Sequence, residues 1–330
     1  MLLNQVHKQI KITRKDSISF IASGYLDYPS PFKIFVANKK ASRTFYLQAG
    51  NNFLTTSYDS LYTNHQVIGS EINNIYITKY LPLFKEYQTL DREWYRFKAR
   101  ADDEYKGNIP LYVRDSISKA RKTADSLKDH ILSLFVKENK GSYLSLWKLN
   151  EFFVYYGFSD LYFDAYSLLS KKIRNSYDGR LIGNRLKSGE KLANGKIFPD
   201  LKLINTDGRQ VSLRSNIIGG YTLIDFWYSN CYPCLQQIPH LSKIRIQFNK
   251  LGFEIIGVST DKFEDFDKWI QTIKSSNANW VNLLDESGTN AAKLVIEAFP
   301  TNFLVNSRGE IVQRNISPEE LELFLIRKLQ

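Results

Sequence analysis

The chain has 330 residues, of which 43% are hydrophobic and 14% aromatic, enough to bury the cores of about two domains. It contains no run near the ~18 apolar residues of a membrane span, and its start lacks the apolar segment of a signal peptide. The formal charge of +11 lies in residues 1–191, which carry 30 Lys and Arg against 19 Asp and Glu, since residues 192–330 carry 15 of each. Because this excess is scattered and accompanies no nucleic-acid-binding motif, we expect a solvated basic surface and no nucleic-acid partner.

Residues 17–70 alternate apolar and polar side chains in short segments separated by Gly, Pro and Asn, a pattern typical of antiparallel strands. The segments are SISFIASGYL, FKIFVA, RTFYLQAG and NNFLTTS. We therefore expect residues 1–70 to form a small β-rich domain.

The apolar spacing then changes to a helical period. Residues 116–139 place Ile117, Ala124 and Ile131 on one stripe of a predicted helix. Asp115 is the expected N-cap of this helix, because a short acidic side chain can accept from the free N–H groups of a first turn.

Residues 142–157 and 159–176 predict two further helices that are rich in Phe and Tyr. We expect their aromatic faces to pack between helices and against the next domain, with a binding groove as the alternative. Residues 184–196 are polar and contain glycine, which predicts a linker. Residues 71–190 are therefore interpreted as a helical region that ends in this linker.

Residues 191–330 predict alternating strands and helices. The predicted elements, in chain order, are a hairpin around Asp207-Gly208, a strand at 221–229, a helix at 233–250, a strand at 253–260, a helix at 264–275, a strand at 279–286, a helix at 289–299, a hairpin at 301–315 and a C-terminal helix. Ser317 is the expected N-cap of the last helix, with Pro318 in its first position and Glu320 completing a capping box. This order predicts an α/β domain whose mixed sheet carries helices on both faces.

The chain's two cysteines, Cys231 and Cys234, are separated by two residues at the junction of a predicted strand and helix. A structural bridge would close a four-residue ring and stabilise the fold by only roughly 2 kcal/mol. A zinc site would need two more ligands, and none of the four histidines forms a second paired motif. A redox pair is favoured, because the free N–H groups of a helix start stabilise a thiolate. We expect Cys231 to be exposed there and Cys234, one turn inside, to be shielded.

The segment DFWYSNCYPCLQQIP resembles the active-site segment of thioredoxin-fold proteins. Residues 192–330 resemble the TlpA/ResA-like thiol-disulfide oxidoreductases in particular, through PDLKLINTDGRQVSL, the helix proline Pro239, IIGVSTD and FPTNFLVNSRGEIV. Residues 17–190 are similar to the lipoprotein-type N-terminal region that often precedes such domains, on the motifs FYLQAG and VIGSEINNIY. The resemblance implies a thioredoxin-like domain over 191–330.

The resemblance also implies catalytic roles. Cys231 would be the attacking thiolate and Cys234 the resolving thiol. Pro300, which follows Phe299, matches the cis-proline that faces the cysteine pair, with an ordinary trans proline as the alternative. Asp225 matches a buried carboxylate behind the resolving cysteine, where desolvation raises the pKa and allows proton transfer with Cys234. The alternative for Asp225 is a strand residue with a satisfied hydrogen bond.

A substrate-binding surface is expected around the cysteines, formed by Trp227, Asn230, Tyr232, Pro233, Phe299 and Thr301. Trp227 has packing as its alternative role. Asn230 departs from the family, because a tryptophan usually precedes the first cysteine. The dipeptide between the cysteines, Tyr232-Pro233, likewise differs from the Gly-Pro of thioredoxin.

The function implied by the resemblance is that of a reductant of protein disulfides in the periplasm or cell envelope, working without a cofactor or metal. Its partners would be protein thiols and disulfides together with an upstream electron donor, such as a membrane thiol carrier. Membrane attachment would come from a segment preceding this chain.

The sequence leaves two alternatives to this function. A thiol peroxidase on the same fold would need Thr and Pro before its reactive cysteine, and YSNCYPC lacks the Thr. A non-catalytic protein that binds through its N-terminal region is opposed by the intact cysteine pair and by the match at Pro300.

Overall fold

The computed structural model describes residues 11–16, 20–23, 26–33, 44–55, 66–106 and 109–329. Six short strands come first: β1 (Lys11–Arg14), β2 (Phe20–Ser23), β3 (Ser30–Phe32), β4 (Phe45–Leu47), β5 (Phe53–Thr55) and β6 (Gln66–Ile68). They form three antiparallel pairs, β1 with β2, β3 with β4 and β5 with β6. The predicted antiparallel β structure is confirmed for these pairs, whereas most of the predicted strand FKIFVA lies outside the described residues.

Seven helices follow: α1 (Glu71–Ile75), α2 (Leu81–Tyr105), α3 (Leu111–Glu138), α4 (Tyr143–Tyr156), α5 (Asp160–Leu168), α6 (Lys171–Arg174) and α7 (Tyr177–Gly189). A π-helical turn at Tyr76–Tyr80 joins the first two. No helix in the described part of the chain is both long enough and apolar enough to cross a membrane.

The expected N-cap at Asp115 was wrong. The helix α3 begins at Leu111, directly after Pro110, because a proline has no N–H to leave unpaired at a helix start. Asp115 therefore lies inside the helix, where its carboxylate accepts from Arg327 of the C-terminal helix at 2.6 Å.

The helices share one hydrophobic core with the strand β4, since Tyr46 is 1% exposed within the same cluster as the helical side chains. Phe152, Phe153 and Tyr162 are buried in this core, so packing is confirmed for these aromatic residues. Tyr155, on the same helix as Phe152, is 63% exposed. The division of the chain at residues 70 and 190 stays a prediction.

The predicted linker at 184–196 was wrong over its first part, because α7 continues to Gly189. Leu186 is fully buried in the helical core, and Arg185 forms an ion pair with Glu297 of the C-terminal part. The polar composition of this segment suggested a linker because the residues that bury Leu186 and pair with Arg185 lie far away in the sequence.

The C-terminal part contains β7 (Lys202–Asn205), β8 (Gln210–Ser212), β9 (Tyr221–Trp227), α8 (Tyr232–Phe248), β10 (Phe253–Ser259), α9 (Phe266–Ser276), β11 (Val281–Leu284), α10 (Thr289–Lys293), β12 (Thr301–Asn306), β13 (Ile311–Arg314) and α11 (Pro318–Leu329). The strands form one sheet in the order β13-β12-β9-β10-β11-β7-β8. The central strands β9, β10 and β11 are parallel, and β12, β13, β7 and β8 pair antiparallel. The predicted mixed sheet is confirmed.

The two faces of the sheet bury alternate residues of the central strands. Leu223 and Ile255 pack on one face against α8 and α11. Ile224 and Ile256 pack on the other face, in a cluster that includes Ala291 of α10. Because both faces of β9 are buried, packing holds the carboxyl end of this strand in place. The turn that leads into α8 begins at this end.

The structure tests the predicted end of α10 and the predicted start of α11. The helix predicted at 289–299 ends at Lys293, and Val295 adopts a left-handed φ of 56° where the chain turns towards β12. The capping box of α11 is confirmed, because Glu320 N–H donates to Ser317 Oγ at 3.3 Å and Ser317 N–H donates to Glu320 Oε2 at 3.2 Å.

Charged pairs connect the N-terminal helices to α11. Lys98 of α2 pairs with Glu319 at 2.9 Å, and Arg114 of α3 pairs with Glu322. Together with the contact of Arg327, these pairs form a seam between the helical part and the C-terminal part of the chain.

Candidate active site

Cys231 and Cys234 form a disulfide at the start of α8, with their Cα atoms 5.2 Å apart. Cys231 is the N-cap of the helix, and its Sγ accepts from the N–H of Cys234 at 3.3 Å. Tyr232 and Pro233 occupy the first helical positions, where the missing N–H of a proline costs no hydrogen bond. The sulfur of Cys231 thus lies at the positive end of the helix dipole.

The expected exposure of Cys231 differs from the structure, in which this residue is 1% exposed and Cys234 is 3% exposed. Both belong to a cluster with Trp227 and Trp269, and Phe299 packs against it. Trp269 and Phe299 of this cluster lie far from Cys231 in the sequence, so the position of Cys231 at a helix start did not predict its burial.

Pro300 lies beside this cluster, and the peptide bond between Phe299 and Pro300 is cis, as expected. The strand β12 starts immediately after it, with Thr301 paired to Phe226 near the carboxyl end of β9. Antiparallel pairing of β12 with β9 therefore brings Pro300 to the edge of the sheet from which the cysteine loop leaves.

Asp225 lies in the middle of β9 and is 6% exposed. Its Oδ1 atom has no hydrogen-bond partner in the described part of the chain. Burial, which disfavours the charged carboxylate, raises the pKa of Asp225 to about 7. The alternative of a fully satisfied strand residue does not fit this unpaired oxygen.

Asp225 and Cys234 line the same narrow cleft. It is lined by Asp225, Trp227, Cys234, Ile238, Ala278 and Trp280. The strand β10 contributes Gly257 opposite Asp225, where an added Cβ would lie 3.1 Å from the Nε1 atoms of both tryptophans. Because Gly257 has no side chain, the indole rings of Trp227 and Trp280 can occupy the space beside Asp225.

The residues expected to bind substrate fall into two groups. Asn230, Pro233 and Tyr232 are exposed around the disulfide, and Phe299 is half-buried. Trp227 and Thr301 are 3% and 4% exposed, so their side chains present almost no surface. For Trp227 this favours the packing alternative, and the Thr301 hydroxyl already donates to Ala298 O at 2.8 Å.

Two side chains near the disulfide were not identified from the sequence. Tyr228 is 37% exposed, and its ring meets that of Phe299 edge-to-face at 5.5 Å. Asp261, in the loop after β10, contacts the turn that leads into Cys231. A usable signal for Asp261 existed, because side chains after the carboxyl ends of adjacent parallel strands meet at one edge of a sheet.

Comparison with known proteins finds similarity over the part of the chain that contains this site. Residues 194–314 match the model of the AhpC/TSA family. Thiol-disulfide oxidoreductase ResA from Bacillus cereus is 24% identical over 139 residues, which cover 41% of this chain and 79% of the relative. The protein of the same name from Bacillus subtilis is 27% identical over 136 residues, which cover 41% of this chain and 74% of the relative.

A solved structure is also similar. The thioredoxin domain of a thiol-disulfide oxidoreductase from Bacteroides vulgatus is 31% identical, with 42% of this chain and 99% of that chain covered. The TM-score of this pair is 0.37. Like the two ResA proteins, it matches well under half of this chain.

Proposed function

Because the C-terminal part is a TlpA/ResA-like thiol-disulfide oxidoreductase, we propose that its disulfide pair cycles with protein substrates and serves as their reductant in the cell envelope. One observation carries this proposal: Cys231 and Cys234 are joined at a helix start while a buried carboxyl group shares a cleft with Cys234. Envelope location and the reducing direction follow from the resemblance to the family.

In the first step, the thiolate of reduced Cys231 attacks one sulfur of a substrate disulfide. A new S–S bond joins Cys231 to the substrate, the substrate S–S bond breaks, and the second substrate sulfur leaves as a thiolate. The N–H of Cys234, which already donates to Cys231 Sγ, stabilises the attacking thiolate together with the helix dipole.

In the second step, the thiol of Cys234 passes its proton to Asp225 and attacks Cys231 Sγ. The disulfide between the two cysteines forms, and the remaining substrate sulfur leaves as a thiolate. Two electrons have then moved from the protein to the substrate. Since burial brings the pKa of Asp225 to about 7, its carboxylate can accept this proton near neutral pH.

The substrate segment lies over the exposed rim of Asn230, Tyr232 and Pro233 and along the chain at Phe299 and Pro300 in this proposal. An upstream thiol donor, such as a membrane thiol carrier, returns the pair to the dithiol by the same exchange chemistry. The proposed division of the chain is a β-rich domain at 1–70, a helical region with a linker at 71–190, and a thioredoxin-like domain at 191–330.

Insulin reduction by dithiothreitol tests the activity, with Cys231→Ser as the inactive control. The reduction potential of the pair tests the direction: a value near about −270 mV indicates a reductant and one near about −120 mV an oxidant. Failure of the native protein to accelerate insulin reduction would overturn the proposed function.

A further inference from the structure

We propose that Asp261 is a positioning residue for the attacking cysteine, an inference that rests on the proposed function. Asp261 follows β10 in the loop beside the disulfide and does not itself contact either sulfur in the described hydrogen-bond network. Its effect is exerted through Ser229, two residues before Cys231.

One carboxylate oxygen holds the turn. Asp261 Oδ2 accepts from the Ser229 N–H at 2.9 Å and from the Ser229 hydroxyl at 2.8 Å. The same oxygen accepts from the Ser259 hydroxyl at 2.6 Å, which ties it to the end of β10. Ser229 is 5% exposed and Ser259 is fully buried, so bulk water does not replace these bonds readily.

Neighbouring backbone bonds make the attachment continuous. Thr260 N–H donates to Trp227 O at 2.9 Å, just before the turn, and Cys231 N–H donates to Tyr228 O at 2.9 Å at its end. The segment from Trp227 to Cys231 is thus fastened to the carboxyl end of β10 before α8 begins. Ser229 is the one residue of that segment that gives Asp261 both a backbone and a side-chain donor.

This attachment matters because the thiolate is stabilised only where the sulfur faces the free N–H groups of the helix start. A small displacement of a reacting group is enough to cost a large part of its rate. Releasing Ser229 lets Cys231 move away from that position. The pKa of Cys231 should then rise towards the ~8.5 of a free thiol, and attack should slow.

The charge of Asp261 predicts the opposite change, which makes the two explanations separable. Removing a carboxylate near a thiolate favours the thiolate and lowers its pKa. Asp261→Ala removes both the charge and the acceptor, whereas Asp261→Asn removes the charge and keeps an oxygen that accepts from Ser229. Ser259→Ala gives a graded comparison, because it removes a donor to the same oxygen at the end of β10 and leaves both bonds from Ser229 in place.

The titratable groups around Cys231 stay the same in all these variants. They are Asp225 on β9, Tyr228 in the turn, and Tyr232 and Cys234 on α8, while α9 contributes the apolar rings of Phe266 and Trp269. A change in the pKa of Cys231 therefore reports on Asp261 and the turn.

The experiment measures iodoacetamide alkylation of Cys231 in the reduced full chain from pH 5 to pH 10, with the site assigned by mass spectrometry. We expect Asp261→Ala to raise the pKa of Cys231 and to slow alkylation at pH 7 roughly tenfold. Asp261→Asn, which loses the charge and keeps the acceptor, should not raise the pKa of Cys231 and should lower it slightly. Ser259→Ala should raise it less than Asp261→Ala does. A pKa that falls or stays unchanged in Asp261→Ala overturns the inference.

A second variant covers the case in which Asp261→Ala does not fold. Ser229→Ala loses one of the two donors in the turn and should shift the pKa of Cys231 upwards by a smaller amount. A pKa of Cys231 in Ser229→Ala equal to that of the native protein overturns the inference. These outcomes leave the proposed function intact as long as the native protein reduces insulin, and only loss of that native activity bears on the function itself.

Discussion

Asp225 and Cys234 line the same narrow cleft, the first from the middle of β9 and the second from the first turn of α8. The other side chains that line this cleft are Trp, Ile and Ala, so Asp225 and, once the disulfide is reduced, Cys234 are the residues of the lining that carry an ionisable side chain. The carboxyl group of Asp225, the two thiols and the space left by Gly257 can each be tested by a separate substitution.

Asp225→Asn should slow the resolving step on the order of a hundredfold near pH 7, because an amide cannot accept the proton of Cys234. The first step, formation of the mixed disulfide by Cys231, should be unchanged and serves as the internal control. Stopped-flow measurement of both steps from pH 6 to pH 9 checks this. Identical resolving rates across that range would reduce Asp225 to a structural residue.

The same carboxyl group should make stability depend on pH. Its pKa is raised from 3.8 to about 7 by burial, so the folded state holds a proton that the unfolded chain releases. The resulting stabilisation is complete below about pH 3.8 and is lost as the pH rises to about 7. Urea unfolding of the oxidised protein should show Asp225→Asn gaining stability over the native protein by a few kcal/mol across this window. A constant difference between the two proteins would contradict the assigned pKa.

The two cysteines should differ in their reactions. Cys234→Ser should accumulate a mixed disulfide with substrate, since no thiol remains to resolve it, whereas Cys231→Ser should form none. In the reduced native protein, iodoacetamide should modify Cys231 first. Non-reducing electrophoresis and peptide mapping measure these outcomes. Equal trapping by both single variants is incompatible with the assigned roles.

Gly257→Ala should destabilise the protein by about 1–3 kcal/mol, because the added methyl group overfills a packed site. Its Cβ would lie 2.5 Å from Asn282 Oδ1 and 3.1 Å from the Nε1 atoms of Trp227 and Trp280. Gly141→Ala is the matched control, since nothing lies within 4 Å of a Cβ there. Urea unfolding compares the two variants, and an equal loss of stability would show that the indoles do not need this space.

Much of the site could be predicted from local sequence. The apolar run before Cys231 and the proline at 233 predicted the strand and the helix start, whereas the place of Pro300 beside the cysteines was implied by the resemblance to the family. The capping box at Ser317 was equally local. Each of these features depends on residues within one turn or one strand, where short-range rules are strong.

The features that could not be predicted depend on long-range contacts. Phe299 packs against the cluster that contains Cys231 although it lies far along the chain, and Asp261 accepts from Ser229 across 32 residues. The segment around Leu186 is polar in composition, yet Leu186 is buried because helices distant in sequence pack against it. Pro110 displaced the expected N-cap, since two start signals competed and the sequence alone does not rank them.

The seam between the N-terminal helices and α11 is graded in its sensitivity to ionic strength. Arg327 and Asp115 are 63% and 35% exposed, so this ion pair lies in contact with solvent, where salt weakens it. Glu319 is only 7% exposed opposite Lys98, so that pair is screened far less. Rising salt therefore loosens the seam from the Arg327 end while the Lys98 end holds. The strength of the connection between the helical part and the C-terminal part at this face therefore depends on the ionic strength of the solution.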